Sequence, residues 1–142
     1  AAAAYAFYTD AELELVGFVV HPKIDQAGCS PDRLVYVSGK KGVENGLVEI
    51  KCPQTSTHID TLLGGSIPKK YIDQMYWQMA CTRREWCDFV SFDPRMPPET
   101  QLFIQRVERD EERIKELENM VVEFLFEMNE KIDRLTKLEN AA

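Results

Sequence analysis

The chain has 142 residues, of which 44% are hydrophobic, 10% aromatic and 29% charged, a composition that excludes a disordered protein and suits one ordinary domain. No apolar run reaches about 20 residues, the length that a membrane-spanning helix needs. The net charge of −7 does not exclude nucleic acid as a partner, because most of the acidic excess lies from Glu108 onward.

The first half of the chain predicts strands. The segment E-L-E-L-V-G-F-V-V, from about Glu12 to Val20, is rich in β-branched residues, and no helix is expected before it. Two apolar runs, Leu34–Val37 and Leu47–Cys52, flank S-G-K-K-G-V-E-N-G, whose glycines and Asn-Gly pair are typical of a turn. We therefore expect a β-hairpin, followed by a polar connection.

The second half of the chain alternates helix and strand patterns. Ser66 is a suitable helix cap with Pro68 just inside the helix. The predicted elements are, in order, an amphipathic helix, two strands and a long helix: about Pro68–Arg83, Trp86–Phe92, Leu102–Val107 and Asp110–Leu138. The long helix packs one face on its own sheet or forms a subunit contact. The expected fold class is α/β (α+β), with a mixed central β-sheet flanked by helices and a long C-terminal helix.

The cysteines Cys29, Cys52, Cys81 and Cys87 contain no C-x-x-C pair, which excludes zinc-ribbon spacing. Because nothing in the sequence indicates secretion, we expect reduced, mostly buried thiols in a cytoplasmic protein.

Three polar residues of the predicted hairpin form a candidate site. Glu49 and Lys51 are two apart on a strand and therefore project from one face, and hairpin pairing places Asp32 beside them. Two carboxylates form a hard oxygen site suited to Mg²⁺ or Mn²⁺, which would polarise a phosphodiester and acidify a bound water. Lys51 would position or deprotonate that water. The alternative, an exposed salt bridge on an edge strand, stays open from these residues alone.

Several motifs that follow in order extend this pattern. S-P-D and E-I-K match the P-D…E-x-K pattern of the restriction-endonuclease-like nuclease superfamily. The fuller sequence resembles the phage lambda exonuclease-like family of viral and prophage recombinases (YqaJ-type). The matching motifs are G-C-S-P-D at Gly28–Asp32, L-V-E-I-K-C-P at Leu47–Pro53, T-S at Thr55–Ser56, L-G-G at Leu63–Gly65, Y-I-D-Q at Tyr71–Gln74, T-R-R at Thr82–Arg84, F-D-P-R-M at Phe92–Met96 and V-E-R-D-E at Val107–Glu111.

The resemblance implies roles for individual residues. Asp32 and Glu49 would bind Mg²⁺, with Mn²⁺ as a substitute and the backbone carbonyl of Ile50 as a third ligand. Lys51 would be the catalytic lysine, and Gln74 would lie near the site.

The resemblance also implies an activity. Members of the family digest linear double-stranded DNA from 5′ ends in a Mg²⁺-dependent reaction. The resulting 3′ single strands serve a phage annealing protein in homologous recombination. The implied assembly is a ring-shaped trimer without membrane attachment, in the cytoplasm of a bacterial host or of another infected cell.

The sequence departs from the family pattern in two places. Arg33 stands where the family has glycine after S-P-D, and we expect Arg33, Lys69 and Lys70 to contact DNA phosphates. The family also carries an earlier helical region with an assisting glutamate and an arginine. We therefore expect residues 1–142 to form a single nuclease domain that lacks an N-terminal helical portion. The departures keep an alternative open, a catalytically inactive DNA-binding or assembly module of the same fold.

Overall fold

The computed structural model describes residues 1–37 and 45–141. The helices are α1 (Ala2–Thr9), α2 (Thr55–Gly64), α3 (Ile72–Thr82) and α4 (Glu111–Ala141), with short 3-10 helices at Lys69–Tyr71 and Pro98–Thr100. The strands are β1 (Ala11–Glu14), β2 (Val19–Val20), β3 (Gly28–Cys29), β4 (Arg33–Val37), β5 (Asn45–Lys51), β6 (Trp86–Phe92) and β7 (Leu102–Glu108). Within these ranges no helix is both long and apolar enough to cross a membrane.

The central sheet has five strands in the order β1-β4-β5-β6-β7, and β2 pairs with β3 in a separate two-stranded sheet. Neighbours in the central sheet are antiparallel except β5 and β6, which are parallel. A parallel pair requires a crossover, and the connection from β5 to β6 carries α2 and α3. The predicted mixed sheet, flanking helices and long C-terminal helix are confirmed.

The sheet is covered on both faces. On one face, Leu47 of β5 and Phe89 of β6 pack in a cluster with Met75 and Met79 of α3. On the other face, Val48 lies in a second cluster with buried residues that include Tyr5 of α1. Leu47 and Val48 are neighbours and both are fully buried, so β5 is an interior strand with no solvent-facing side at this point.

The helix α1 contradicts the expectation that no helix precedes the first strand. Its alanines have the highest helix propensity, but an alanine run carries no amphipathic pattern that sequence analysis could detect. Tyr5 attaches α1 to the sheet: its side chain is 1% exposed, and its hydroxyl donates a hydrogen bond to Asp88 Oδ2 at 2.7 Å. The helix thus supplies cover for the second face of the sheet.

The predicted strand from Glu12 to Val20 is wrong in its middle. The chain forms β1 and then leaves the central sheet before β2, and Leu15 and Phe18 in between are exposed. The β-branched composition predicts one continuous strand, whereas the structure has two short strands in this segment.

The predicted polar connection after the hairpin is also corrected, because it contains α2. This helix ends at Gly64 and is capped by Gly65, whose φ of 58° is left-handed and whose N–H donates to the Thr61 carbonyl at 3.0 Å. Its buried residues are His58 and Thr61, so the apolar periodicity that identifies a helix is absent.

Other boundaries shift less. The helix predicted over Pro68–Arg83 begins as a 3-10 helix and becomes α-helical at Ile72. The hairpin pairing is confirmed by the antiparallel register of β4 and β5, whereas most of its predicted turn lies at 38–44, outside the described residues.

His58 fixes α2 to the end of β6. Its ring is fully buried, with Nδ1 at 2.7 Å from Ser91 Oγ and Nε2 at 2.8 Å from the Thr100 carbonyl oxygen. Because a carbonyl can only accept, Nε2 carries the proton and Nδ1 accepts from the Ser91 hydroxyl. We expect His58→Ala to lower the free energy of unfolding by about 2 kcal/mol, through two lost hydrogen bonds. Urea unfolding measures the change, with the exposed neighbour variant Thr57→Ala as control; equal stabilities of the two variants would contradict the prediction.

Candidate active site

The hairpin brings the three predicted residues to one place. Asp32 directly precedes β4, and β4 pairs with β5 so that Arg33 lies opposite Val48. The backbone N–H of Ile50 donates to Asp32 Oδ2 at 2.7 Å, which holds this carboxylate against β5 between Glu49 and Lys51. The sequence prediction that these side chains are neighbours therefore describes the geometry correctly.

Glu49 is buried, and both of its carboxylate oxygens accept hydrogen bonds. Its side chain is 3% exposed. Its Oε1 accepts from Lys51 Nζ and from Gln74 Nε2, the latter at 2.8 Å, and its Oε2 accepts from Gln78 Nε2 at 2.7 Å. This arrangement excludes the alternative of an exposed salt bridge on an edge strand, because β5 is interior and Glu49 is removed from solvent.

Lys51 connects this buried carboxylate to the solvent. It is the last residue of β5, and its side chain is 27% exposed. Its Nζ lies 4.8 Å from the centre of the Tyr71 ring, and the Nζ of Lys70 lies at the same distance from that ring. The aromatic ring of Tyr71 therefore forms cation–π contacts with two lysines at the edge of the site.

Burial is the largest influence on the pKa of Asp32. Desolvation raises the pKa of Asp32 above its ordinary value, and the nearby negative charge of Glu49 raises it further. The N–H of Ile50 and the cations of Lys51 and Arg33 act in the opposite direction on the pKa of Asp32. A divalent cation between the two carboxylates would relieve their mutual repulsion, so the donor set fits a hard metal ion.

The candidate site contains few carboxylate side chains. Across residues 1–37 and 45–141, no group of three or more histidine, cysteine, aspartate or glutamate side chains is arranged to hold a metal. Two carboxylates and a backbone carbonyl, here Asp32, Glu49 and the predicted Ile50 carbonyl, leave positions free for water and substrate. Such partial protein coordination suits Mg²⁺, which retains several waters when it binds.

The three predicted DNA-contacting residues lie in different surroundings. Arg33 is half-buried, and its Nη1 donates to the backbone carbonyl of Asp32. Lys69 and Lys70 are exposed on the 3-10 helix that leads into α3. Their contact with phosphates stays a prediction.

Sequence reasoning missed Gln78. It lies one helical turn after Gln74, so both amides project from the same face of α3 toward Glu49. A signal was present: Gln78 sits directly beside the buried Met79 and Ala80 in the apolar stripe of an amphipathic helix. A polar residue in such a stripe indicates a buried partner.

The comparisons with known proteins identify the family and the fold. The family model of the YqaJ-like viral recombinase domain matches residues 1–85. No curated protein matched the chain. Among solved structures, the chain is similar to the alkaline exonuclease LHK-Exo from Laribacter hongkongensis, with 45% sequence identity and a TM-score of 0.91. The match covers 100% of this chain and 70% of the LHK-Exo chain. The same enzyme in complex with dAMP gives the same values. The predicted nuclease resemblance is thus confirmed, and the chain belongs to the family of YqaJ-like viral recombinase domains.

Proposed function

We propose that this chain is a Mg²⁺-dependent 5′→3′ exonuclease that digests linear double-stranded DNA and leaves 3′ single-stranded overhangs for phage-type homologous recombination. The observation that carries the proposal is the buried carboxylate of Glu49, held by amides beside Asp32 and a partly exposed Lys51. The 45% identity to an alkaline exonuclease over the whole chain supports nuclease chemistry at this site. The direction of digestion rests on the family resemblance.

Asp32, Glu49 and the Ile50 carbonyl would hold the metal. Mg²⁺ bound there would neutralise phosphodiester charge and make water a better nucleophile at neutral pH. The neighbouring Gln74 donates to Glu49 and so fixes the direction of its carboxylate. Mn²⁺, a hard ion with similar ligand preferences, would substitute for Mg²⁺.

Lys51 supplies the cationic group. Its ammonium contacts Glu49 on the buried side and reaches the surface on the other, so it can meet a phosphate and the buried carboxylate together. A proton donor in this position can hold the attacking water or stabilise the charge that develops on the phosphate oxygens. The buried contacts of Glu49 therefore orient its carboxylate, whereas the exposed part of Lys51 is available to the substrate.

Arg33, Lys69 and Lys70 would position the DNA through its phosphates. Lys69 and Lys70 lie on the segment that also carries Tyr71, the residue that contacts Lys51. Cations near the reactive group align the backbone without reading sequence, as a nuclease that removes nucleotides one after another requires. The phage annealing protein, the ring-shaped trimer and the single nuclease domain over residues 1–142 stay predictions that rest on the resemblance.

A catalytically inactive DNA-binding or assembly module is the second candidate. Arg33 favours it, because this side chain donates to the Asp32 carbonyl where the family pattern has glycine, a residue without a side chain. An inactive protein that regains cleavage with Arg33→Gly would establish this candidate.

The test is digestion of linear duplex DNA labelled at either the 5′ or the 3′ end. We expect early release of the 5′ label with Mg²⁺ and none with EDTA, because removal of the metal leaves both carboxylates without their cation. Early release of the 3′ label would contradict the direction, and retained DNA binding without release of either label would favour the inactive module.

A further inference from the structure

Gln78 is a buried amide at the back of the candidate site. It is 2% exposed, and its Nε2 donates to Glu49 Oε2 at 2.7 Å. In the part of the chain that the structure describes, its Oε1 is buried and has no hydrogen-bond partner. Gln74, by contrast, is exposed and shares Glu49 Oε1 with Lys51. Oε1 of Glu49 is thus bound by the partly exposed Lys51 and the exposed Gln74, and Oε2 by the buried Gln78.

An amide in this position is costly for the fold. Gln78 projects from a helix whose neighbouring buried residues are apolar, and a buried acceptor without a partner destabilises the fold. A leucine or methionine would fill the same space without this penalty. The hydrogen bond to Glu49 compensates for this cost. Gln78 is therefore explained by its contact with the site and not by packing in the core.

We propose that Gln78 is a positioning residue that fixes the carboxylate of Glu49 and thereby sets the affinity of the site for its divalent cation. This inference rests on the proposed function. The hydrogen bond at Oε2 restrains rotation of the Glu49 carboxylate about its terminal bond, so its orientation is maintained before the cation arrives. Without the amide, Oε2 would be a buried carboxylate oxygen with no donor, and the carboxylate would turn away from its position. This change weakens binding of a cation.

The test replaces Gln78 by methionine, which keeps the length and apolar contacts of the side chain and removes the donor. Loss of a hydrogen bond behind a metal ligand typically weakens metal binding about 10–100-fold. We expect Gln78→Met to raise the Kd for Mn²⁺, measured by calorimetry without DNA, by about 10-fold or more. DNA cleavage should fall at low Mg²⁺ and recover when Mg²⁺ saturates the site.

The matched control is Gln105→Met. Gln105 Oε1 accepts from the backbone N–H of Ile67 at 3.0 Å and has no contact with Glu49. This variant also loses a glutamine hydrogen bond, and its Kd for Mn²⁺ should stay within about 2-fold of the unmodified protein. Thermal melting of both variants verifies that they are folded. If Gln78→Met is not folded, Gln78→Asn retracts the same amide within a polar side chain and should weaken Mn²⁺ binding equally.

The outcomes separate the two proposals. A folded Gln78 variant with an unchanged Kd for Mn²⁺ would overturn the positioning role, as would loss of cleavage that no Mg²⁺ concentration restores. If the unmodified chain neither binds Mn²⁺ nor cleaves DNA, the proposed function fails, and the role of Gln78 fails with it. An unmodified chain that binds Mn²⁺ but does not cleave contradicts only the nuclease activity, since the calorimetric comparison still decides the role of Gln78.

Discussion

Lys51→Ala is expected to reduce DNA cleavage about 100- to 1,000-fold at saturating Mg²⁺ while the protein stays folded. The side chain is partly exposed and contributes to no apolar cluster of the core. Its removal takes the counter-charge from buried Glu49 and lowers stability, but Gln74 and Gln78 still donate to that carboxylate, so we expect the variant to fold. The ammonium of Lys51, however, is the group that joins Glu49 to the surface where a phosphate would lie. Release of labelled nucleotides from linear duplex DNA measures the rate, and circular dichroism verifies the fold.

Lys115→Ala is the control for this experiment. Lys115 is an exposed lysine of α4, and its removal changes the net charge equally. We expect Lys115→Ala to cleave at nearly the unmodified rate. A Lys51→Ala protein that cleaves within about 10-fold of the unmodified protein would show that another group carries the catalytic role.

Arg106→Ala is expected to lower the free energy of unfolding by about 3 kcal/mol, because it leaves the buried carboxylate of Asp88 without a counter-charge. The Asp88 side chain is 4% exposed, and Arg106 holds both of its oxygens at 2.8 and 3.0 Å. The guanidinium also lies 3.5 Å from the centre of the Trp86 ring. After the substitution, the Tyr5 hydroxyl alone would bind Asp88. Urea unfolding, monitored by tryptophan fluorescence, measures the change.

Two comparisons sharpen this second experiment. Asp88→Asn keeps an acceptor for Tyr5 and needs no counter-charge, so it should cost less than Arg106→Ala. Arg113→Ala removes an arginine whose ion pairs with Asp73 and Glu116 lie at the surface, and its effect should be the smallest of the three. The reverse order of stabilities would show that the Asp88 network contributes little to the attachment of α1.

The elements that sequence analysis identified are those with a strong apolar period. Trp86–Phe92 is confirmed at both ends. The long helix extends three residues beyond its predicted end at Leu138, because those last residues, E-N-A, carry no large apolar side chain that would continue the pattern. Helices without an apolar stripe, α1 and α2, were missed. Both are held by polar contacts from distant segments, Tyr5 to Asp88 and His58 to Ser91, and such contacts have no local sequence signature.

The site follows the same rule. Asp32, Glu49 and Lys51 belong to one hairpin, so alternation and pairing sufficed to place them together. Gln78 reaches Glu49 from a helix that the crossover brings back over the sheet, and no spacing along the chain predicts that return. Residues joined by local pairing can thus be identified from the sequence pattern. Of the two residues that the crossover brings to Glu49, Gln74 was expected there only from the family resemblance, and Gln78 required the structure.

This division between hairpin and crossover has a consequence for the order of folding. The strands β4 and β5 are separated by only the seven residues 38–44 of the sequence. Parallel pairing of β5 with β6, by contrast, must wait until residues 52–85 have formed α2 and α3. Asp32 and Glu49 should therefore meet early in refolding, in a state that has the two carboxylates but not the amides of α3. Tight binding of a divalent cation should develop later, at the rate at which the crossover docks, so a metal-sensitive fluorescence signal during refolding would time the last step of the fold.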